Sequence, residues 1–370
     1  MVSINSMWNA NVPASIKAYE EVNLDAMTVR QTLQNTHEFS IKFDDQTYVM
    51  NLYEFDLRSP DANAFIRDVD GNLLQVEKED IKTYTGYVNN DKSNSVFLLA
   101  SESDVAGFIK KSGAEIVIEP LRNYDANSDA TKHIIYEVKT TSNVRTDNLK
   151  ALSLQQLILP EAQATNDYLM RVIMDCDRQY YLQGTGNWQT RLLTLMGGIT
   201  SDYATETSIG ISVEDTVCDT SGSTYTSYDH HDLWDEVRDA WSGDGTTRHT
   251  VVMITGKDMT GSVSGFVEPD YSPPVSNISY GSYALVQAAD DSSSIYGGTL
   301  QEQKQTLMHE MGGHIMGATH TDAEIYYTQN GVDYWTIMQV DIPYTERVMK
   351  FSTDNKSTID SNSSSYLEDY

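Results

Sequence analysis

The chain has 370 residues, which is enough for two domains with sizeable hydrophobic cores. Its 54 acidic residues outnumber 25 basic ones, and the net charge of −29 argues against nucleic acid and anionic membranes as partners. The sequence contains no apolar run long enough for a membrane span. Its first residues lack the charged start and apolar core of a secretion signal.

Short strand-like runs dominate the first part of the chain after an N-terminal segment at residues 1–25. Between residues 26 and 140 such runs occur at 48–53, 95–99 and 116–118, and turn residues separate them. This range holds no cluster of metal-binding residue types. The pattern predicts a β-rich domain.

A linker is predicted at residues 141–165, which are polar at the start and contain Pro160 near the end. In residues 166–370 short apolar runs alternate with helical patterns, among them 188–196 and 233–241. This alternation predicts an α/β domain with a mostly parallel sheet.

One run in this second domain has the pattern of an exposed edge strand. Residues 261–267 alternate small and apolar side chains. An exposed edge can bind an extended peptide by strand addition. The residues expected to contact such a peptide are Ser262, Val263, Ser264, Gly265 and Phe266.

Three histidines and a glutamate lie close together near the end of the chain. His309 and Glu310 begin a stretch that is similar to the zinc-protease signature H-E-x-x-H-x-x-G-x-x-H. Gly317 can adopt a positive φ and turn the chain, so that His320 reaches the metal that His314 binds. Three neutral imidazoles and a water make a catalytic zinc site, and Glu310 would be its general base.

The stretch departs from the signature by one residue, because His309 and His314 are five positions apart instead of four. On a regular helix such residues point about 140° apart and cannot bind one ion. A π-bulge at residues 311–313 would absorb the extra residue, and Gly312 and Gly313 weaken the helix there. The competing interpretation is that the insertion destroys the site.

Residues on both sides of the histidines fit a zinc site. Thr299 and Glu302 form a capping box that predicts a helix leading into the motif. Met338 follows in an apolar run and is predicted to form a Met-turn below the zinc.

With these motifs the chain resembles the reprolysin-like (adamalysin-type) metzincins over about residues 166–355. The apolar runs at 168–177, 208–213, 250–256 and 283–287 are similar to the strands of that catalytic domain. The resemblance implies a mostly parallel twisted sheet with an antiparallel edge strand, an active-site helix and a Met-turn. It implies a zinc metalloendopeptidase, a hydrolase of protein or peptide substrates with one catalytic Zn²⁺, and Ca²⁺ is a further candidate ion. The alternative is an inactive relative that acts as a binding or surface protein.

The β-rich domain resembles the propeptide of this family at residues 84–88, 105–109, 118–121 and 133–136. The alternative is an unrelated accessory domain. The resemblance implies a secreted zymogen whose prodomain is an intramolecular partner, and we expect a secretion signal to precede residue 1.

The cysteines limit how such a zymogen could be kept inactive. No cysteine precedes Cys176, so a thiolate from the N-terminal domain cannot block the zinc. Cys176 and Cys218 are each expected near the end of a strand, either bridged or as two free thiols.

Brief trypsin treatment of the native chain should cut first at Arg145 or Lys150, because the predicted linker lacks a strong structural pattern. N-terminal sequencing of the fragments should find a C-terminal fragment that begins near these residues. Fragments that begin inside residues 168–260 would contradict the predicted boundary.

Overall fold

The computed structural model divides into two compact units. One consists of Met1–Asp56 and Glu79–Thr165, and the other of Leu57–Lys78 and Asn166–Tyr370. The predicted linker at 141–165 lies outside the residues that the structure describes. The described residues are 12, 16, 18–111, 114–125, 127–138, 167–183, 187–243, 248–260, 263–268, 274–276, 281–288, 298–329, 332–340 and 346–369.

The described part of the chain up to residue 138 is built mainly from strands, as its sequence pattern predicts. In chain order the strands and the helix are β1 (Glu20–Asn23), α1 (Ala26–Thr36), β2 (Glu38–Phe43), β3 (Gln46–Phe55), β4 (Arg58–Arg67), β5 (Leu73–Val76), β6 (Lys82–Val88), β7 (Asp91–Ala100), β8 (Val105–Lys111), β9 (Ala114–Pro120) and β10 (Lys132–Val138).

Eight of these strands form an antiparallel sheet in the first unit, in the order β1-β10-β9-β8-β7-β6-β3-β2. Its apolar residues pack with α1, since Val29 and Leu33 of the helix belong to the same buried cluster as Met50 and Leu52. Burial of alternate residues in the middle of β3 produces the strand-like run of the sequence. The helix begins at Asp25, whose carboxylate caps its first turn.

The second part of the chain alternates strands and helices. In chain order these are β11 (Tyr168–Cys176), α2 (Arg178–Gln183), α3 (Trp188–Thr207), β12 (Ile209–Cys218), α4 (His230–Trp241), β13 (Thr250–Thr255), β14 (Gly265–Phe266), β15 (Tyr283–Gln287), α5 (Leu300–Leu307), β16 (Ile325–Gln329), β17 (Val332–Trp335), α6 (Thr353–Tyr366) and β18 (Glu368–Asp369).

The main sheet of the second unit has the order β14-β15-β13-β11-β12-β4-β5, and β18 pairs with β11. Strands β11, β12, β13 and β15 are parallel, whereas β14 is antiparallel to β15 at the edge. Every residue of β13 and β15 is buried, which explains their continuous apolar runs. The predicted α/β class with a mostly parallel sheet is confirmed.

The last two strands of this sheet come from a distant part of the sequence. Strand β4 pairs in parallel with β12, and β5 returns antiparallel to β4. The range 26–140, predicted as one continuous domain, is therefore interrupted, since Leu57–Lys78 belongs to the second unit. Local alternation identifies β4 as a strand but does not reveal which sheet it joins.

A buried ion pair fixes the inserted hairpin. Arg67 Nη2 lies 3.3 Å from Asp175 Oδ2, and the two side chains are 3 % and 0 % exposed. The same Oδ2 accepts hydrogen bonds from Tyr225 Oη at 2.5 Å and from Trp241 Nε1 at 2.8 Å. The Arg67 guanidinium lies over the Trp241 ring, 4.7 Å from its centroid. This network joins β4, β11 and α4.

The two cysteines lie at the ends of neighbouring strands, as expected, and both are free thiols. Burial, followed by a contact with Cys218, raises the pKa of the Cys176 thiol well above its ordinary value. Of the two alternatives, the structure has unbridged cysteines.

No helix in the described part of the chain has the length and apolar character needed to cross a bilayer.

Thiol titration should find two reactive groups per chain in denaturant without reductant, because Cys176 and Cys218 are not bridged. The native protein should react far more slowly, since both side chains are fully buried. A sample pre-treated with reductant and desalted should give the same count. Absence of titratable thiols in the unreduced, denatured sample would show a disulfide.

Candidate metal centre

Helix α5 leads the chain into the site and begins as its sequence predicts. The Thr299 hydroxyl accepts a hydrogen bond from Glu302 N at 3.2 Å, and Thr299 N donates to Glu302 Oε2 at 2.9 Å. This reciprocal capping box supplies partners for the free N–H groups of the first turn. Every residue of the helix except the half-buried Glu302 is buried.

The helix then widens into a π turn at Met308–Gly313. The expected bulge at residues 311–313 is present and begins three residues earlier. His314 N donates to both His309 O and Glu310 O, so the turn closes across one residue more than in an α-helix. The extra residue is thereby absorbed, and the rings of His309 and His314 lie 4.8 Å apart, measured between centroids.

A sharp turn at Gly317 brings the third histidine back. Gly317 has φ 85°, a left-handed conformation that glycine adopts without steric cost, as predicted. His320 Nε2 then lies 3.0 Å from His309 Nε2 and 2.8 Å from His314 Nε2. One ring nitrogen from each histidine lies within 4.8 Å of the other two.

Backbone carbonyls orient two of the rings. His309 Nδ1 donates to Ile337 O at 2.8 Å, and His314 Nδ1 donates to Ala318 O at 3.0 Å. With Nδ1 as the donor, the lone pair of each Nε2 points to the shared centre. Desolvation is the largest cause that lowers the pKa of both rings, that of His309 well below its ordinary value and that of His314 to about 4. Both imidazoles are therefore neutral, as metal ligands must be.

The donor set fits a zinc ion. Tetrahedral zinc with nitrogen ligands at 2.0–2.1 Å requires nitrogen atoms separated by about 3.3 Å. The distances of 3.0 Å and 2.8 Å from His320 Nε2 to His309 Nε2 and His314 Nε2 are close to this value. His320 can donate only one proton, so it cannot satisfy both facing lone pairs at once, whereas a cation can. Within the described residues no other group of three His, Cys, Asp or Glu side chains has metal-binding geometry. This group of three histidines gives no support for the candidate Ca²⁺, which prefers oxygen ligands.

Glu310 lies between the histidines and the sheet edge. Its side chain is buried, and Oε1 lies 4.0 Å from His309 Nε2. A Cβ atom built on Gly265 would be 2.5 Å from Glu310 Cγ and 2.6 Å from Oε1, so the carboxyl packs directly on β14. Burial raises the pKa of Glu310 to about 8, and the positive charge of Arg347 opposes this shift.

The predicted substrate edge is shorter than its sequence pattern. Gly265 and Phe266 form β14, opposite Val286 and Leu285 of β15. Ser264 O extends the pairing because it accepts a hydrogen bond from Gln287 N at 2.7 Å. Val263 is described but lies outside the strand, and Ser262 lies outside the described residues.

Met338 lies against the π turn, in a turn closed by Gln339 N donating to Thr336 O at 3.1 Å. It is fully buried, and a Cβ atom built on Gly313 would be 2.3 Å from its sulfur. The preceding residue, Ile337, supplies the carbonyl that orients His309. The predicted Met-turn residue thus packs directly beneath the bulge, and glycine at 313 makes this approach feasible.

A carboxylate far away in the sequence anchors the chain after this turn. Glu206, near the end of α3, forms ion pairs with Lys350 Nζ at 2.7 Å and with Lys356 Nζ at 2.6 Å. It also accepts a hydrogen bond from Phe351 N at 3.3 Å. Phe351 in turn lies 3.4 Å from the position of a Gly313 Cβ. Sequence reasoning missed Glu206, because no local pattern connects it with residues about 145 positions later.

Comparison with known proteins gives one family and one fold. The sequence profile described as metallo-peptidase family M12 matches residues 166–352. The crystal structure of metalloproteinase-II from Bacteroides fragilis matches with a TM-score of 0.53 at 12 % identity, over 92 % of this chain and 96 % of that one. This likeness is one of fold. No curated protein matches the chain.

Replacing Gly313 by Ala should destabilise the protein by about 1–3 kcal/mol, because the added Cβ would overlap Met338 Sδ. The zinc content should also fall, since His309 lies within the distorted turn and His314 directly follows it. Thermal unfolding and metal analysis would measure both effects. Gly243→Ala is the control, because its Cβ meets nothing within 4 Å. Unchanged unfolding and zinc content in Gly313→Ala would contradict this packing argument.

Proposed function

The chain belongs to metallo-peptidase family M12, and from that premise we propose that it is a zinc-dependent endopeptidase. The observation that carries the proposal is the convergence of three histidine nitrogens beside a buried carboxyl, at the open edge of a sheet. This arrangement provides a metal site, a proton acceptor and a place for a peptide within one region.

Each side chain has a separate role. His309, His314 and His320 would hold the ion through Nε2, and Ile337 O and Ala318 O keep two of the rings in place. When bound, zinc would act as a Lewis acid that polarises a peptide carbonyl and lowers the pKa of a water molecule to roughly 7.

Glu310 would take the proton of the attacking water and pass it to the leaving amine. It is buried next to the histidines but is not grouped with them as a ligand. Burial raises the pKa of Glu310 to about 8, and a zinc ion on the neighbouring histidines would lower this pKa and so favour the ionised form that accepts a proton. Its position against Gly265 places this proton acceptor beside the strand edge.

The substrate would be an extended peptide that pairs with β14. In the described part of the chain β14 is the last strand on its side of the sheet, so its outer N–H and C=O groups have no strand partner there. Strand addition on such an edge leaves both ends of the peptide free to continue. This supports cleavage within a chain, which is an endopeptidase activity, and protein or peptide substrates.

We further propose that the enzyme is a secreted metzincin made as a zymogen. The support is the resemblance of the N-terminal β-rich region to a propeptide. Because residues 1–175 contain no cysteine, latency supplied by this region would depend on another side chain or on steric cover.

The alternative of an inactive relative rested on the extra residue between His309 and His314. The π turn at Met308–Gly313 weakens that argument, since the histidines converge in spite of the insertion.

Replacing Glu310 by Gln should lower kcat/KM for peptide hydrolysis by about 10²–10⁴-fold, the usual contribution of a general base. One zinc per chain should remain, because Glu310 is not a ligand. His314→Ala should lose both zinc and activity. The assay uses trypsin-activated protein, with metal analysis of the same samples.

Asp239→Asn is the control, since that carboxylate is exposed on α4 and does not belong to the metal-binding group. Full activity in Glu310→Gln would contradict the role of the base. A wild-type chain without zinc at saturating metal would contradict the metal site itself.

A further inference from the structure

We propose that residues 57–78 remain part of the second unit after the linker is cut, so that cleavage between residues 139 and 166 yields two fragments that stay bound. The proposal extends the zymogen scheme, but it rests on the hairpin β4–β5 and not on peptidase activity. A cut in this segment would then leave the N-terminal fragment bound to the C-terminal fragment.

The first argument is sheet completion. Strand β4 covers the outer side of β12, with Arg58 opposite Val213 and residues 63–66 opposite 215–218. An Asp215 carboxylate oxygen also accepts a hydrogen bond from Asn63 N at 2.8 Å. Loss of β4 would expose a long, mostly buried strand with a row of unpaired backbone groups, which favours aggregation.

The second argument is the buried charge of Asp175. Its carboxylate is fully buried and has Arg67 as its cation, supplied by the hairpin. Tyr225 and Trp241 donate to the same carboxylate, but both are neutral. Departure of the hairpin would leave a negative charge in the core without its counter-ion, and such a charge is strongly unfavourable.

The third argument is that the hairpin is held at several places. At its tip, the hydroxyls of Ser221 and Ser223 donate to Asp68 O at 3.2 Å and to Val69 O at 3.1 Å. Near its C-terminal end, Gln189 of α3 donates to Glu77 O at 3.0 Å. Dissociation must therefore break contacts with β12, with the loop after it and with α3 at the same time.

The side chains of the hairpin also belong to the core of the second unit. Phe65 and Leu73 pack against a buried cluster that contains Ile173, Trp241 and Val251. Ala64, in the middle of β4, is fully buried. The hairpin thus behaves as a structural element of the unit that carries the histidines, although it is encoded before the linker.

The test uses the full-length chain with the recognition sequence of a specific protease in place of residues 146–151 and an affinity tag at the C-terminus. Glu310→Gln in all samples prevents self-digestion and makes the result independent of the proposed activity. After complete cleavage, the sample is bound to resin under native conditions. The N-terminal fragment should be retained with the tagged fragment and should be released by urea.

Two variants show whether the hairpin is what holds the fragments. Arg67→Ala should weaken retention by about 100-fold or more, because it leaves Asp175 unpaired. Leu74→Ala is the matched control on the same hairpin, since its side chain is 48 % exposed, and it should retain the fragment normally. If Arg67→Ala does not fold, the double variant Ser221→Ala with Ser223→Ala should still weaken retention several-fold.

Release of the N-terminal fragment from the unmodified hairpin under native conditions would overturn the proposal. Retention that is equally strong in the Arg67 and serine variants would also overturn it, because the fragments would then be held by other contacts. Neither outcome bears on zinc binding or hydrolysis, which are measured separately.

Discussion

The metal centre depends on one constraint: two histidines five residues apart must present their rings on the same side of one helical segment. An α-helix cannot meet this constraint, and the π turn at Met308–Gly313 does. The turn has little room around it. Tyr203 lies 3.0 Å from the position of a Gly312 Cβ, and Met338 lies 2.3 Å from that of a Gly313 Cβ. The inserted residue and the two glycines therefore act together, because the absence of side chains at positions 312 and 313 leaves space for the wider turn.

Two elements that are far apart in the sequence pack against this turn, and burial shifts the pKa values of its ionisable side chains. The turn at Ile337 and Met338 orients His309 and supports the backbone beneath it. Burial lowers the pKa of His309 and His314, so that both rings are neutral, and raises the pKa of Glu310 to about 8. The sheet edge at Gly265 packs directly against that carboxyl. The arrangement of the three histidines, the carboxyl and the sheet edge is thus set by packing around one helical segment.

On the opposite side of the same sheet, the edge of β12 is covered by two further strands. Strand β12 would be a long exposed edge, and the chain covers it with β4 and β5, which lie about 150 residues earlier. The entropic cost of joining such distant segments is opposed by burial of apolar side chains, such as Phe65 and Leu73 packed on the core, and by parallel backbone pairing. Arg67 supplies the counter-ion of the buried Asp175. As a consequence, the compact units do not follow the order of the sequence.

The sequence by itself determined the features that depend on local patterns. The capping box at Thr299, the buried strands β13 and β15, the positive φ of Gly317 and the need for a bulge between His309 and His314 all follow from neighbouring residues and helix geometry. Only the tertiary structure decided the rest. The pairing of β4 with β12, the ion pair of Arg67 with Asp175 and the anchoring of residues 350–356 by Glu206 join residues more than 100 positions apart. Such contacts leave no periodic signal in the sequence, because they form only in the folded chain, where a buried charge requires a partner and an open sheet edge requires another strand.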